Sequence, residues 1–283
     1  MRWKHGAWLV LALAACNRSP QPHPQAAMPA PATAQQPAPA AGPVDLSDIS
    51  ERDPRYLIGI SFPPELKRHP ALAAEVKHDA EAMRAEFMQQ VAANKDYQGP
   101  GPFELSAMYT MVAETPRIVA VAAEGTSFVG GAHGAPLLDR YVWLLPENRR
   151  LTAAELVPDP AGWQAISAYV RDQLLAVQRQ RFDEDAKADA GDEGGKATPE
   201  SAVLKQQLKN ATDMIEQGTE PEVENFANFE PVLGPGGKIA ALRFVFPPYQ
   251  VGPYSDGTQT VEVPAAVLLP HIAPAERGLF VGG

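Results

Sequence analysis

The sequence predicts an α+β fold, with an antiparallel or mixed sheet and helices packed on one side. Three observations carry this. Segments of alternating apolar residues recur along the chain, as half-buried strands require. Apolar residues spaced three and four apart mark helices that are segregated from those strands instead of alternating regularly with them. Several strands are joined by short Gly- or Pro-containing turns, which suit antiparallel neighbours.

Tyr56, Ile58, Ile60 and Phe62 share one face of a first strand, which Pro63-Pro64 ends. Leu72, Val76, Ala80, Met83, Phe87 and Val91 then form the apolar stripe of an amphipathic helix, with Pro70 in its first turn. Phe103, Leu105, Ala107, Tyr109, Met111 and Ala113 alternate along a long one-sided strand. Thr115-Pro116 turns the chain into a strand over Ile118–Ala123, and Leu137–Leu145 is the next. Asn148-Arg149-Arg150 reads as a turn. Thr152 and Glu155 fit a capping box, and Asp159-Pro160 a second helix start. Trp163, Ile166, Val170, Leu174 and Val177 would face inward from that second helix. Asp183–Lys196 is acidic and Gly-rich and reads as a surface loop; its spacing does not fit a calcium-binding EF-hand. Thr198-Pro199 opens another helix, with Leu204, Leu208, Ala211 and Ile215 inward and Gly218 as its stop. Phe226–Leu233 and Ile239–Phe246 form a hairpin around Gly234–Gly237, Thr260–Val263 is the last strand, and Pro264–Leu269 a short helix.

The N-terminus reads as an export signal. Arg2 and Lys4 precede the apolar run Ala7–Ala15, too short for a membrane-spanning helix, and Leu13-Ala14-Ala15-Cys16 matches the lipobox of bacterial lipoproteins. Residues 1–15 would be removed and Cys16, the single cysteine, would carry the lipid. With no second cysteine, the mature chain can form no internal disulfide. Residues 16–47 form a Pro- and Ala-rich tether, whose Asn17–Val44 stretch as polyproline II reaches roughly 80 Å. Asn17 after the cysteine resembles outer-membrane sorting, which places the protein in the cell envelope facing the periplasm. Residues 48–283 make up the folded region, one domain or two intimate halves divided near 183–198. Loss of Arg2 and Lys4 takes the formal charge from −10 to −12. An acidic surface argues against nucleic acid and leaves a cationic partner open.

Two loops are candidates for a site. Ser127–Pro136 places Gly130 and Gly131 between two strands, where the backbone must take positive φ or approach something closely, and presents His133 among small residues. Pro247–Gly257 combines two adjacent prolines with Tyr249 and Tyr254, a stiff loop with amphipathic rings. Both loops also admit a purely structural reading, as a bend and as a plug over the sheet. No G-x-S-x-G elbow, HExxH motif or P-loop is present, and the histidines are scattered, so no cofactor, metal or catalytic residue is expected.

Ser127–Gly134, with the strand after it and Leu151–Val157, resembles the Gly-Gly-Ala-His signature of an extracytoplasmic bacterial domain of unknown function. Phe244–Gly257 resembles the C-terminal signature of the same domain, and the likeness spans roughly Tyr56 to Leu269. That domain forms the outer part of the lysozyme-sensing anti-sigma factor RsiV and accompanies a deacetylase domain in PdaC-type enzymes. This chain carries no sigma-binding segment and no deacetylase domain, so neither activity transfers. The resemblance implies a non-catalytic envelope lipoprotein that binds or senses a lysozyme-like protein or peptidoglycan, with Gly130, Gly131, His133, Tyr249 and Tyr254 as ligand-binding residues. Two alternatives remain open: a cell-wall hydrolase or deacetylase-type enzyme using His133, and a structural lipoprotein without a small ligand.

Overall fold

The computed structural model describes residues 44–99, 101–193 and 199–283, and only the backbone path at 188–193 and 199–202. The export signal, Cys16 and the tether before Val44 lie outside the described residues.

Strands β1 (Ile49–Asp53), β2 (Tyr56–Ser61), β3 (Phe103–Glu114), β4 (Ile118–Phe128), β5 (Ala135–Leu144) and β6 (Arg149–Arg150) form one sheet in that order. Every pairing is antiparallel except β2–β3. The exception follows from the chain between them, because helix α1 (Pro70–Ala93) carries it back over the sheet, as a parallel pair requires. The α1 stripe of Leu72, Val76, Ala80, Phe87 and Val91 packs against the inward row Phe103, Leu105, Ala107 and Tyr109 of β3 and Val119 and Val121 of β4. Polar groups on this side are tied down where the sheet ends. The Tyr141 hydroxyl donates to Asp79 at 3.0 Å, and the Arg150 guanidinium lies 4.3 Å from the Tyr141 ring while pairing with Asp139 at 2.7 Å. Burial raises the Glu75 carboxyl above its ordinary range, against the pull of Arg150. Burial likewise pushes the Tyr109 phenol up to about 12.

A second sheet holds β7 (Phe229–Leu233), β8 (Ile239–Phe246) and β9 (Gln259–Pro264), all antiparallel. Its helices are α2 (Ala153–Leu156), α3 (Pro160–Glu193), α4 (Pro199–Gly218) and α5 (Ala265–Leu268). Trp163 of α3 stacks on Phe226 at 5.3 Å, and Phe244 of β8 meets both rings edge-on. Burying a ring of this size contributes about 1.5–3 kcal/mol. The helix starts follow their sequence signals. Thr152 and Glu155 form the capping box of α2, and the Asp159 carboxylate accepts from the Ala161 N–H at 2.9 Å at the head of α3. The two cores share strands: Ile118, Ala120, Val142 and Leu144 face the second core, while Val119, Val121, Tyr141 and Trp143 face the first. Strand alternation thus serves two cores at once.

Three local expectations need correction, and one strand carried no signal in the sequence. The acidic stretch expected as a loop continues α3 as far as Glu193, since its Ala, Glu and Lys residues are good helix formers; 194–198 lie outside the described residues. Val177 is 46 % exposed because α3 has by then run past the sheet. Arg149–Arg150 is a short strand, with the turn at Asn148, whose φ is 51°. Strand β1 had no apolar signal; its Glu51 is held by a bidentate ion pair with Arg84 of α1 at 2.5 and 2.9 Å.

Candidate functional site

The glycine loop leaves β4 at Phe128 and enters β5 at Ala135. Gly130 and Gly131 have φ of 106° and 98°, the left-handed region that favours glycine. A Cβ added at Gly130 would also press on Tyr97, whose ring would lie 3.3 Å away. The chain therefore bends tightly over Tyr97 and holds His133 outward. The His133 Nδ1 lies 3.1 Å from the Gly134 carbonyl oxygen, which can only accept, so Nδ1 carries a proton.

The second loop follows β8. Gln250 N–H donates to the Pro247 carbonyl at 3.1 Å, closing a turn with Pro248 and Tyr249 at its centre. Tyr249 has φ of 74°. Proline at the first central position and positive φ at the second are the marks of a type II turn, where glycine is the usual choice. A tyrosine there holds backbone strain of about 1–3 kcal/mol. The turn is fixed from below, because the Gln250 side-chain amide donates to the carbonyls of Gly218 and Asn225 at 3.0 and 2.9 Å. Gly218 permits this approach; a Cβ there would sit 1.9 Å from the Gln250 carbonyl oxygen.

The fold brings the two loops together. The His133 Nε2 and the Tyr249 hydroxyl are hydrogen-bonded at 2.8 Å, and the His133 ring stacks on Tyr254 with centroids 3.9 Å apart and planes at 17°. Tyr249 and Tyr254 are themselves 5.8 Å apart. All five residues singled out in the two loops thus lie in or beside one cluster: Gly130 and Gly131 shape the loop, and His133, Tyr249 and Tyr254 make the contact. Tyr249 is 54 % exposed, so the cluster presents an aromatic face outward. Both ring nitrogens of His133 are engaged by groups other than carboxylates. Among the described residues, no three His, Cys, Asp or Glu side chains converge as a metal site.

A groove of about 610 Å3 opens between the sheets close by, with Thr110, Glu124 and Arg140 on one wall and Arg243, Thr258 and Glu262 on the other. Its base is a chain of alternating charges that the sequence reading missed. Arg140 pairs with Glu124 at 2.5 Å and with Glu230 at 2.8 Å; Arg243 pairs with Glu230 at 2.8 Å and Glu262 at 2.6 Å. Hydrogen bonds that the Arg243 guanidinium gives to Glu262 and then Glu230 hold it above its ordinary pKa. A signal existed: Arg140 interrupts the apolar run from Leu137 to Leu145, and Glu230 sits in Phe-Glu-Pro-Val, both where an inward residue is due.

Residues 156–266 match the DUF3298 family, described as a protein of unknown function. The matched stretch runs from α2 to α5 and contains Tyr249 and Tyr254. Two solved structures are similar across most of the chain. A DUF3298 family protein from Pseudomonas aeruginosa PAO1 aligns with TM-score 0.51 at 15 % identity, over 86 % of this chain and 99 % of its own. A DUF3298 member from Bacteroides fragilis NCTC 9343 aligns with TM-score 0.50 at 14 % identity, over 84 % and 97 %. At these identities the likeness concerns the fold. No curated protein matches the chain.

Proposed function

We propose that this chain is a non-catalytic binding lipoprotein of the cell envelope, and that the His133–Tyr249–Tyr254 cluster is its recognition surface for a lysozyme-like protein. The observation that carries the reading is Tyr249. Its ring is mostly exposed, its backbone is strained, and the turn that strains it is anchored to α4. A strained backbone on a side chain that buries little serves folding poorly and preorganisation well, since an ordered ring loses little freedom on binding. The partner follows from charge and resemblance. A mature chain at −12 attracts a basic protein, and the signature loops resemble those of a lysozyme-sensing domain. Cys16 would anchor the protein by its lipid, with the tether holding the cluster away from the membrane.

Calorimetric titration of the full chain with a c-type lysozyme, at low and at physiological salt, tests this. Binding in the low micromolar range or tighter is expected, weakened by salt and by about tenfold or more in Tyr249→Ala. No heat at either salt overturns the lysozyme reading. Heat with soluble peptidoglycan fragments instead would move the partner from protein to glycan.

A further inference from the structure

The face of the large sheet opposite α1 is left bare where the small sheet no longer covers it. Along β3 the outward residues Glu104, Ser106, Met108 and Thr110 are all exposed, about 20 Å of strand. Beside them stand Gly59 and Ser61 of β2 and Glu124 and Thr126 of β4. Met108 is 55 % exposed in the middle of this hydroxyl-rich row, opposite Glu124 in the strand register. Glu124 also lines the groove, whose far wall includes Thr258, next to the aromatic loop. The bare face and the groove therefore share Glu124, and the far wall of the groove follows the aromatic loop directly in the chain.

We propose that this face is the docking surface for the body of a basic globular protein, with Met108 as its apolar anchor and the aromatic cluster gripping one edge. The proposal rests on the binding reading above and extends it to a second, separable surface. Charge decides the occupant. Among the described residues the exposed carboxylates on β3, β4 and the groove rim are Glu104, Glu124 and Glu262; Arg140, the partner of Glu124, is buried, and Arg243, the partner of Glu262, is 37 % exposed. Among the described residues of these strands, the exposed cation of the face is Arg52 on the edge strand β1. The ion chain itself holds three carboxylates against two guanidiniums, and Glu124 and Glu262 are each about half exposed at 59 % and 49 %. A lone methionine ringed by hydroxyls and carboxylates matches the small apolar centre and charged rim of a transient interface.

Glu104 makes no ion pair among the described residues, and Met108 buries little, so both can be changed without disturbing the fold. The test titrates c-type lysozyme into the full chain, Met108→Ser, Glu104→Lys and Tyr249→Ala, with thermal midpoints checked for each. Met108→Ser and Glu104→Lys are each expected to weaken binding by about tenfold at unchanged midpoint, and Glu104→Lys to flatten the salt dependence. If both bind like the unsubstituted chain while Tyr249→Ala loses affinity, the docking face is overturned and the cluster stands. If the unsubstituted chain binds no lysozyme, or binds only wall glycan, the basic-protein proposal falls together with the reading it extends.

Discussion

Arg140 and His133 both reach from the β4–β5 hairpin of the large sheet to the small one, and they are built in opposite ways. Arg140 is buried and gives four hydrogen bonds, to Glu230, Glu124 and the carbonyls of Ala123 and Asp139. Its bridge uses regular strand residues on both sides. His133 meets Tyr249 and Tyr254 at the surface, through two loops that need positive φ at Gly130, Gly131 and Tyr249. A buried ion chain tolerates no missing member, because each unpaired charge would face a low dielectric. An exposed aromatic contact tolerates loss easily, because water replaces what is removed. One bridge fixes how the sheets sit; the other is free to be used by something else.

The strongest way to break this contrast is to remove Arg140. Arg140→Ala leaves Glu230 buried with only Arg243, and a loss of about 3–5 kcal/mol is expected in urea unfolding. Replacing both partners, Arg140→Met with Glu230→Leu, should cost far less than the sum of the single changes, since no unpaired charge remains. An additive double variant would mean that the ion chain stabilises the junction outright, not merely through its completeness.

A smaller effect of opposite sign is expected at Tyr249. Glycine adopts its φ of 74° without penalty. Tyr249→Gly should therefore be more stable than Tyr249→Ala by about 1 kcal/mol, although both lose the ring. Both should lose partner affinity alike. Equal stability of the two variants would show that the turn relaxes when the ring is removed.

Much of this was legible in the chain, and the division follows the physics. The α1 stripe, the alternation of β3 and the capping box at Thr152 are local patterns and came out as read. The meeting of the two loops is written in neither of them, because the glycine loop joins strands of the large sheet and the tyrosine loop follows a strand of the small one. The stacking of His133 on Tyr254 depends on how two sheets dock. The ion chain was missed for the same reason: Arg140 and Glu230 are 90 residues apart, and nothing local tells an inward arginine which carboxylate it will meet. Positive φ at Tyr249 hid behind a residue that rarely takes it, although Pro248 before it was the clue. Strand β1 has charges where a pattern would show apolar residues, so only its pairing with β2 reveals it.

The smallest expected effect sharpens the comparison most. In a double-mutant cycle of His133→Ala and Tyr249→Phe, the hydrogen bond between the two is deleted from either side. Exposed hydrogen bonds exchange with water, so a coupling of about 0.5 kcal/mol in unfolding free energy is expected. The cycle of Arg140→Ala and Glu230→Ala should give several times more, because there each single change strands a buried charge. If the His133–Tyr249 coupling instead rivals the buried one, the aromatic cluster is a lock between the sheets. The contact would then offset the strain at Tyr249 for the sake of the fold, and the recognition surface would have to be sought on the bare face of β3 alone.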